Sequence, residues 1–261
     1  MPFTFKLDQV TMNFRQMLLV VLCFSLISPG MALEVRTIEA GDSSIDVRIF
    51  PAVGNRLLLG FPCDEGKSLA EEKTANSLAE DGIEVWMPDM LSAYMLPKVR
   101  SSLADIPSDA LTDLIREALK TGKQVYLIAS GADTELILRA ARHWESTEDT
   151  PLAGAVLLFP RLFKSKPEPG VQPEYVDAVG KTKLPLMLLE GERTPNRWGI
   201  QHLTAELGKG GSQVHAKVIP AVRGYFFKRQ DANRPEEVVT SQLAGLIKVS
   251  LFYLGSSQHD E

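Results

Sequence analysis

Cysteine is nearly absent from this chain, with two in 261 residues, Cys23 and Cys63. Cys23 lies in an apolar segment near the N-terminus, so a mature chain trimmed of that segment has no internal disulfide, and a stapled miniprotein is excluded. A lone Cys63 also lacks the ligand spacing of a metal site, and neither a metal nor any other cofactor is expected. Positive charge is short: Lys and Arg number 28 against 33 Asp and Glu, for a net charge of −5. With no basic stripe along the chain, nucleic acid is not an expected partner. No apolar run approaches the ~20 residues needed to span a bilayer, and no fixed-period repeat is present.

What is there begins with an apolar run of about a dozen residues, short of a span, from Met17 to Ile27 after Arg15. Ser28-Pro29-Gly30-Met31-Ala32 follows it. This is the three-part layout of a secretory signal, with cleavage expected after Ala32 and a periplasmic or secreted mature protein. Met12 offers an alternative start that leaves a shorter, purely basic leader. Leu22 stands before Cys23 where a lipoprotein signal needs a small residue, so no lipid anchor is expected. Residues 1–32 are therefore expected to be the signal, with a retained N-terminal anchor as the alternative, and residues 33–261 one domain with no membrane span in the mature chain.

Residues 34–39 and 44–50 alternate apolar and polar side chains about Gly41-Asp42, the pattern of a hairpin of half-buried strands. Arg56-Leu57-Leu58-Leu59-Gly60-Phe61 is a continuous apolar run, as in a strand buried on both faces. Helices are then expected at 68–80, 107–121, 134–145, 196–207 and 235–254, and strands at 83–87, 124–129, 153–159, 184–190 and 214–220. Strands alternating with helices after an antiparallel hairpin describe an α/β three-layer sandwich around a mostly parallel sheet. In such sheets the ligand crevice lies beyond the carboxyl ends of the strands. The long stretch 161–183, rich in proline and charge, sits where a lid is often inserted, or forms a solvated surface loop.

The turn after the strand Val125-Tyr126-Leu127-Ile128 reads Ala129-Ser130-Gly131-Ala132-Asp133. It resembles a nucleophile elbow, written G-x-S-x-G in serine hydrolases of the α/β class. Leu57 to Pro62 is similar to the strand and turn that supply an oxyanion donor. Val85-Trp86-Met87-Pro88-Asp89 is similar to the next strand and its exit, Met187 to Thr194 to the acid-bearing turn, and Val218 to Phe226 to the histidine-bearing loop. Over most of the mature length the chain thus resembles the α/β-hydrolase superfamily, which implies that fold and ester or thioester chemistry.

That chemistry needs a hydroxyl, an imidazole and a carboxylate held together. The resemblance places Gly131 at the nucleophile position, Thr194 at the acid and Arg223 at the histidine, so each of these lacks the required group. Loss of a single triad member already leaves only a residual rate of roughly 10³–10⁴ over water. The expected function is therefore binding of a partner or small ligand in the cell envelope, without the usual triad. Phe61, Cys63, Asp133, Arg193 and Arg223 are the candidate contacts. Arg223, with Arg193 and Arg161 at the same sheet edge, either grips an anionic ligand or forms an ion pair with Asp133 or Glu192.

Two alternatives remain open. A serine or cysteine esterase or thioesterase would use Ser130 or Cys63, although His143, His202, His215 and His259 all fall outside the loops at the strands' carboxyl ends, and Asp64 and Glu65 would raise the Cys63 pKa. A structural subunit of an envelope assembly would instead use exposed faces. The leader reading is checked by intact-mass measurement after export in a bacterium. The expected mature chain starts at Leu33, and a protein retaining residues 1–32 overturns the reading.

Overall fold

The computed structural model describes residues 33–62, 69–168 and 170–256. The expectations placed on residues 1–32, on Cys63 and on His259 lie outside these. Strands β1 (Glu34–Ala40) and β2 (Ser43–Phe50) form the antiparallel hairpin about Gly41. They are followed by β3 (Arg56–Gly60), β4 (Ile83–Pro88), β5 (Gln124–Ser130), β6 (Gly154–Leu158), β7 (Leu186–Gly191) and β8 (Val214–Ile219). All eight belong to one sheet of order β1-β2-β4-β3-β5-β6-β7-β8, parallel from β4 onward, with β2 antiparallel to β4. The order crosses over at β3, which places β3 and β5 side by side at the centre.

Successive side chains of a strand point to opposite faces, and the central strands are apolar on both. Leu57, Leu59, Val125, Leu127, Ala155 and Leu157 face one layer, which contains α3 (Ser108–Leu119), α4 (Thr134–Thr147) and α5 (Ile200–Gly208). Leu58, Tyr126, Val156, Leu158, Met187 and Leu189 face the other, built from α1 (Leu69–Glu80) and α7 (Leu243–Ser256). Helix α3 buries Ala110, Leu111, Leu114, Ile115 and Ala118, and α4 buries Leu136, Ile137, Ala140, Ala141 and Trp144. Each set is the stripe of a 3.6-residue repeat turned to the sheet. Burying a leucine or isoleucine stabilises by about 1.5–3 kcal/mol, so these stripes, rather than helix propensity, hold the layers.

Three elements depart from the sequence expectation. The last helix is not continuous: α6 (Arg234–Ser241) and α7 meet at 57°, because Gln242 leaves the helical region and its N–H turns back to Val239 O at 3.1 Å. The bend lets Leu243, Ile247, Leu251 and Leu254 pack on the sheet while α6 turns toward the crevice. Residues Pro195–Gly199 form a 3₁₀ turn before α5, and a short α2 (Met90–Ala93) follows β4, capped by Asp89 Oδ1 accepting from Ser92 N at 3.2 Å. The stretch 161–183 holds no helix. It folds back through an antiparallel bridge between Phe163 and Tyr175, with Leu162 and Ala178 buried. Among the described residues no single helix is long and apolar enough to cross a membrane.

Candidate functional site

Strand β5 stays extended through Ser130, and the chain then turns at Gly131 with φ of +59° into a 3₁₀ turn (Gly131–Asp133) that opens α4. That backbone strains any residue with a Cβ, and glycine adopts it freely. Gly131 O is pinned by Thr134 Oγ1 at 2.6 Å and by Arg161 N at 2.9 Å. A Cβ placed on Gly131 would lie 1.1 Å from the Tyr225 hydroxyl oxygen and 2.2 Å from its Cζ. The phenol of Tyr225 therefore occupies the volume that a nucleophilic side chain at the elbow would fill. Tyr225 itself sits at φ of +56°, and its ring packs 6.3 Å from that of Phe159, another non-glycine residue at left-handed φ (+50°). Backbone strain of this kind costs about 1–3 kcal/mol per residue and persists only where the surroundings enforce it.

The turn after β7 carries Thr194, where the resemblance leads one to expect an acid. Its hydroxyl donates within 3.0 Å of both Glu190 Oε1 and Gly191 O. Glu190 is a buried carboxyl at the end of β7, which the sequence reading did not single out. It also accepts from Gly191 N at 2.8 Å and from the Asn196 side chain, and its pKa is raised because burial disfavours the charged form. It is thus closed into its own turn. Glu192 accepts from Ala221 N at 2.8 Å, and Arg193, exposed, is tied by its backbone N–H to Val222 O at 2.9 Å. A Cβ on Gly191 would lie 2.7 Å from Val222 O, so the loops after β7 and β8 touch backbone to backbone.

Where the resemblance leads one to expect a histidine, Arg223 grips Glu236 with both Nε (2.7 Å) and Nη2 (2.6 Å) and reaches Asp231 through Nη1 at 2.9 Å. Its own N–H donates to Glu236 Oε1 at 3.0 Å. The expected partners Asp133 and Glu192 are corrected here. Glu236 is fully buried as the third residue of a capping box with Asn233, and the bend between α6 and α7 aims it at Arg223. The Arg223 guanidinium beside Glu236 holds that carboxyl down at about 2, and Arg229 and Arg223 hold Asp231 at about 2. Asn233-Arg234-Pro235-Glu236 is a legible capping box with proline near its start, and it was the signal that could have located this pair.

Ser130 is 6% exposed and points to the α1/α7 side of the sheet, onto a largely apolar cavity of about 70 Å³ lined also by Phe61, Leu158, Phe227, Leu243 and Ile247. That volume exceeds the ~10–15 Å³ needed by one water. Glu71 and Thr74 line it as well, and Glu71 pairs with the buried Lys228 at 3.2 Å. No described histidine lines the cavity. His143 bonds Asp109 at 2.7 Å, His202 bonds the Tyr175 hydroxyl at 2.9 Å, and His215 packs against Tyr253. Phe61 N–H, placed where an oxyanion donor is expected, donates to Ile128 O at 3.1 Å, and Pro62 has no N–H. Asp133 is buried at the start of α4. Among the described residues no group of acidic, histidine or cysteine side chains could hold a metal ion.

No protein-family model and no curated protein matches the chain. Solved structures do. An ester hydrolase from the metagenome of Lake Arreo superposes with a TM-score of 0.64 at 13% identity, covering 88% of this chain and 84% of that one. Carboxyl esterase 2 of the mycorrhizal fungus Tuber melanosporum gives 0.60 at 12% identity over 84% and 86%. The apo form of esterase 2 from Thermogutta terrifontis gives 0.59 at 16% over 87% and 98%.

Two measurements check this geometry. Gly131→Ala should cost about 2–5 kcal/mol, from a left-handed penalty of about 1–2 kcal/mol and the clash with Tyr225 of about 1–3 kcal/mol. In a Tyr225→Gly background only the first should remain, and equal costs in the two urea-denaturation series would show that Tyr225 does not fill the space. Arg223→Gln should lose about 2–3 kcal/mol at neutral pH, below the full cost of breaking a buried pair because Arg223 is 30% exposed. Both acids have folded values lowered to about 2, so the native protein should lose stability as pH falls from their ordinary values toward about 2. Arg223→Gln should flatten that acid limb, and an unchanged limb in urea titrations at stepped pH would refute the assignment.

The chain superposes on those solved structures over 84–88% of its length, and with one eight-stranded, mostly parallel sheet between two helical layers it has the α/β-hydrolase fold.

Proposed function

We propose that this protein is a non-hydrolytic α/β-hydrolase-fold protein that binds a small ligand, with an apolar portion of that ligand entering the cavity beside Ser130. The observation that carries the reading is the Tyr225 phenol standing where an elbow side chain would project. The engaged Phe61 amide and the closed Arg223–Glu236 fork support it, since neither an oxyanion donor nor a base is free at those positions. A cell-envelope setting, with a protein or small-molecule partner there, goes with the expected leader.

A second reading has its own support. Ser130 lies on the cavity wall, and the structural neighbours named above are esterases. In that reading Ser130 is the nucleophile and a side chain other than a described histidine takes its proton.

Fluorophosphonate labelling, iodoacetamide labelling and turnover of p-nitrophenyl butyrate separate the two. The expected result is no fluorophosphonate adduct and turnover that is the same in the native protein, Ser130→Ala and Cys63→Ala. A Ser130 adduct, together with at least a tenfold loss of turnover in Ser130→Ala, would overturn the non-hydrolytic reading. The same loss in Cys63→Ala with iodoacetamide protection would overturn it in favour of the thiol.

A further inference from the structure

The loop after β6 carries a charge pattern at odds with the rest of the molecule. A groove of about 300 Å³ is lined by Arg100, Arg161, Lys164 and Lys166, with Ser165 and Asn196 as neutral donors, and no acidic residue lines it although the chain has net charge −5. The volume is at the lower end of small-molecule sites. Arg161, Lys166 and Arg100 have no carboxylate within ion-pair distance among the described residues. Lys164 pairs with Asp177 at 2.7 Å, both largely exposed.

The cations are held on a built frame. Arg100 Nη2 donates to Phe163 O at 2.8 Å and to Arg161 O at 3.3 Å, which ties the 3₁₀ turn Arg100–Asp105 to the loop. The loop is closed on itself by Lys164 N to Glu174 O at 2.9 Å and Val176 N to Leu162 O at 2.8 Å, and the Phe163 and Tyr175 rings stack at 5.2 Å. The Arg161 guanidinium lies 5.9 Å from the Tyr225 ring centre, at the lip of the filled elbow. Three of the four cations have no carboxylate partner among the described residues, and a groove lined by one sign of charge focuses its field on an incoming anion.

We propose that this groove is a binding site for a small, multiply charged oxyanion ligand bearing phosphate or carboxylate groups. Arginine supplies paired planar donors to such groups and lysine a point charge, and the chain here offers both. The inference does not rest on the non-hydrolytic reading, since the groove lies outside the Ser130 cavity and its readout is binding rather than turnover.

Titration calorimetry on the full chain at low ionic strength, with pyrophosphate and citrate as probes, tests it. Saturable one-to-one binding of at least one probe is expected. Arg161→Gln/Lys166→Gln should weaken that binding at least tenfold, and Lys166→Glu, a single change at an exposed position, at least threefold. The control Lys120→Gln/Lys209→Gln, which removes the same charge from exposed sites elsewhere, should leave affinity within twofold. Failure of both probes to bind saturably overturns the proposal. So does equal weakening in the control, which would mean net charge alone, and so does an unchanged affinity in Lys166→Glu.

Discussion

A carboxylate as deeply buried as that of Glu236 is tolerable only with a cation and hydrogen-bond donors closed around it, because taking it out of water unpaired costs several kcal/mol. Arg223 meets that demand from the loop after β8, with two guanidinium nitrogens and its own backbone N–H. The loop is thereby fixed two residues before Tyr225, and the left-handed turn at Tyr225 then carries the phenol to Gly131. Backbone bonds from Arg193 N to Val222 O at 2.9 Å and from Lys228 N to Tyr225 O at 3.0 Å tie the loop on either side of the fork. The same carboxylate also caps α6, so the entry of that helix and the filling of the elbow share a single ionic contact.

The fold was readable because burial on two faces leaves an unmistakable pattern: the runs 57–61, 125–129 and 155–158 are apolar at every position, and the helices between them repeat at 3.6 residues. Boundaries slipped where local geometry competes with periodicity. Gln242 leaves the helix without a proline or glycine to announce it, and Met90–Ala93 is too short for any period to register. The candidate site was less readable. Gly131, Thr194 and Arg223 could be placed by strand order, but the partner of Arg223 comes from a helix 13 residues further on, whose direction depends on that unannounced bend. Within the stretch Val218 to Phe226, Tyr225 is one of two adjacent aromatics and carries no chemical signal of its own. Its role as an occupant of the elbow follows from a dihedral angle that side-chain chemistry does not encode.

Solved esterases at 12–16% identity share the scaffold with this chain, and a shared scaffold leaves the groups at its rim free to differ. This separation is physically ordinary, since packing of strands and helices depends on buried apolar area and catalysis on a few polar atoms at the rim. At the rim here these polar groups make internal contacts: Glu190 bonds its own turn, Glu192 the next loop, and Phe61 the neighbouring strand.

That arrangement has a consequence for the mutational paths leading out of this sequence. Placing a side chain on Gly131 first meets Tyr225; removing Tyr225 first empties a packed position; exchanging Arg223 for histidine first strands Glu236 without its bidentate partner. Every opening move toward a triad is uphill in stability, and the moves relieve one another only in combination. A protein with stability in the usual range of about 5–15 kcal/mol has little room for several such steps taken singly. The Gly131–Tyr225–Arg223 set therefore couples the composition of the corner to folding stability: single substitutions there cost stability, and combined ones offset one another.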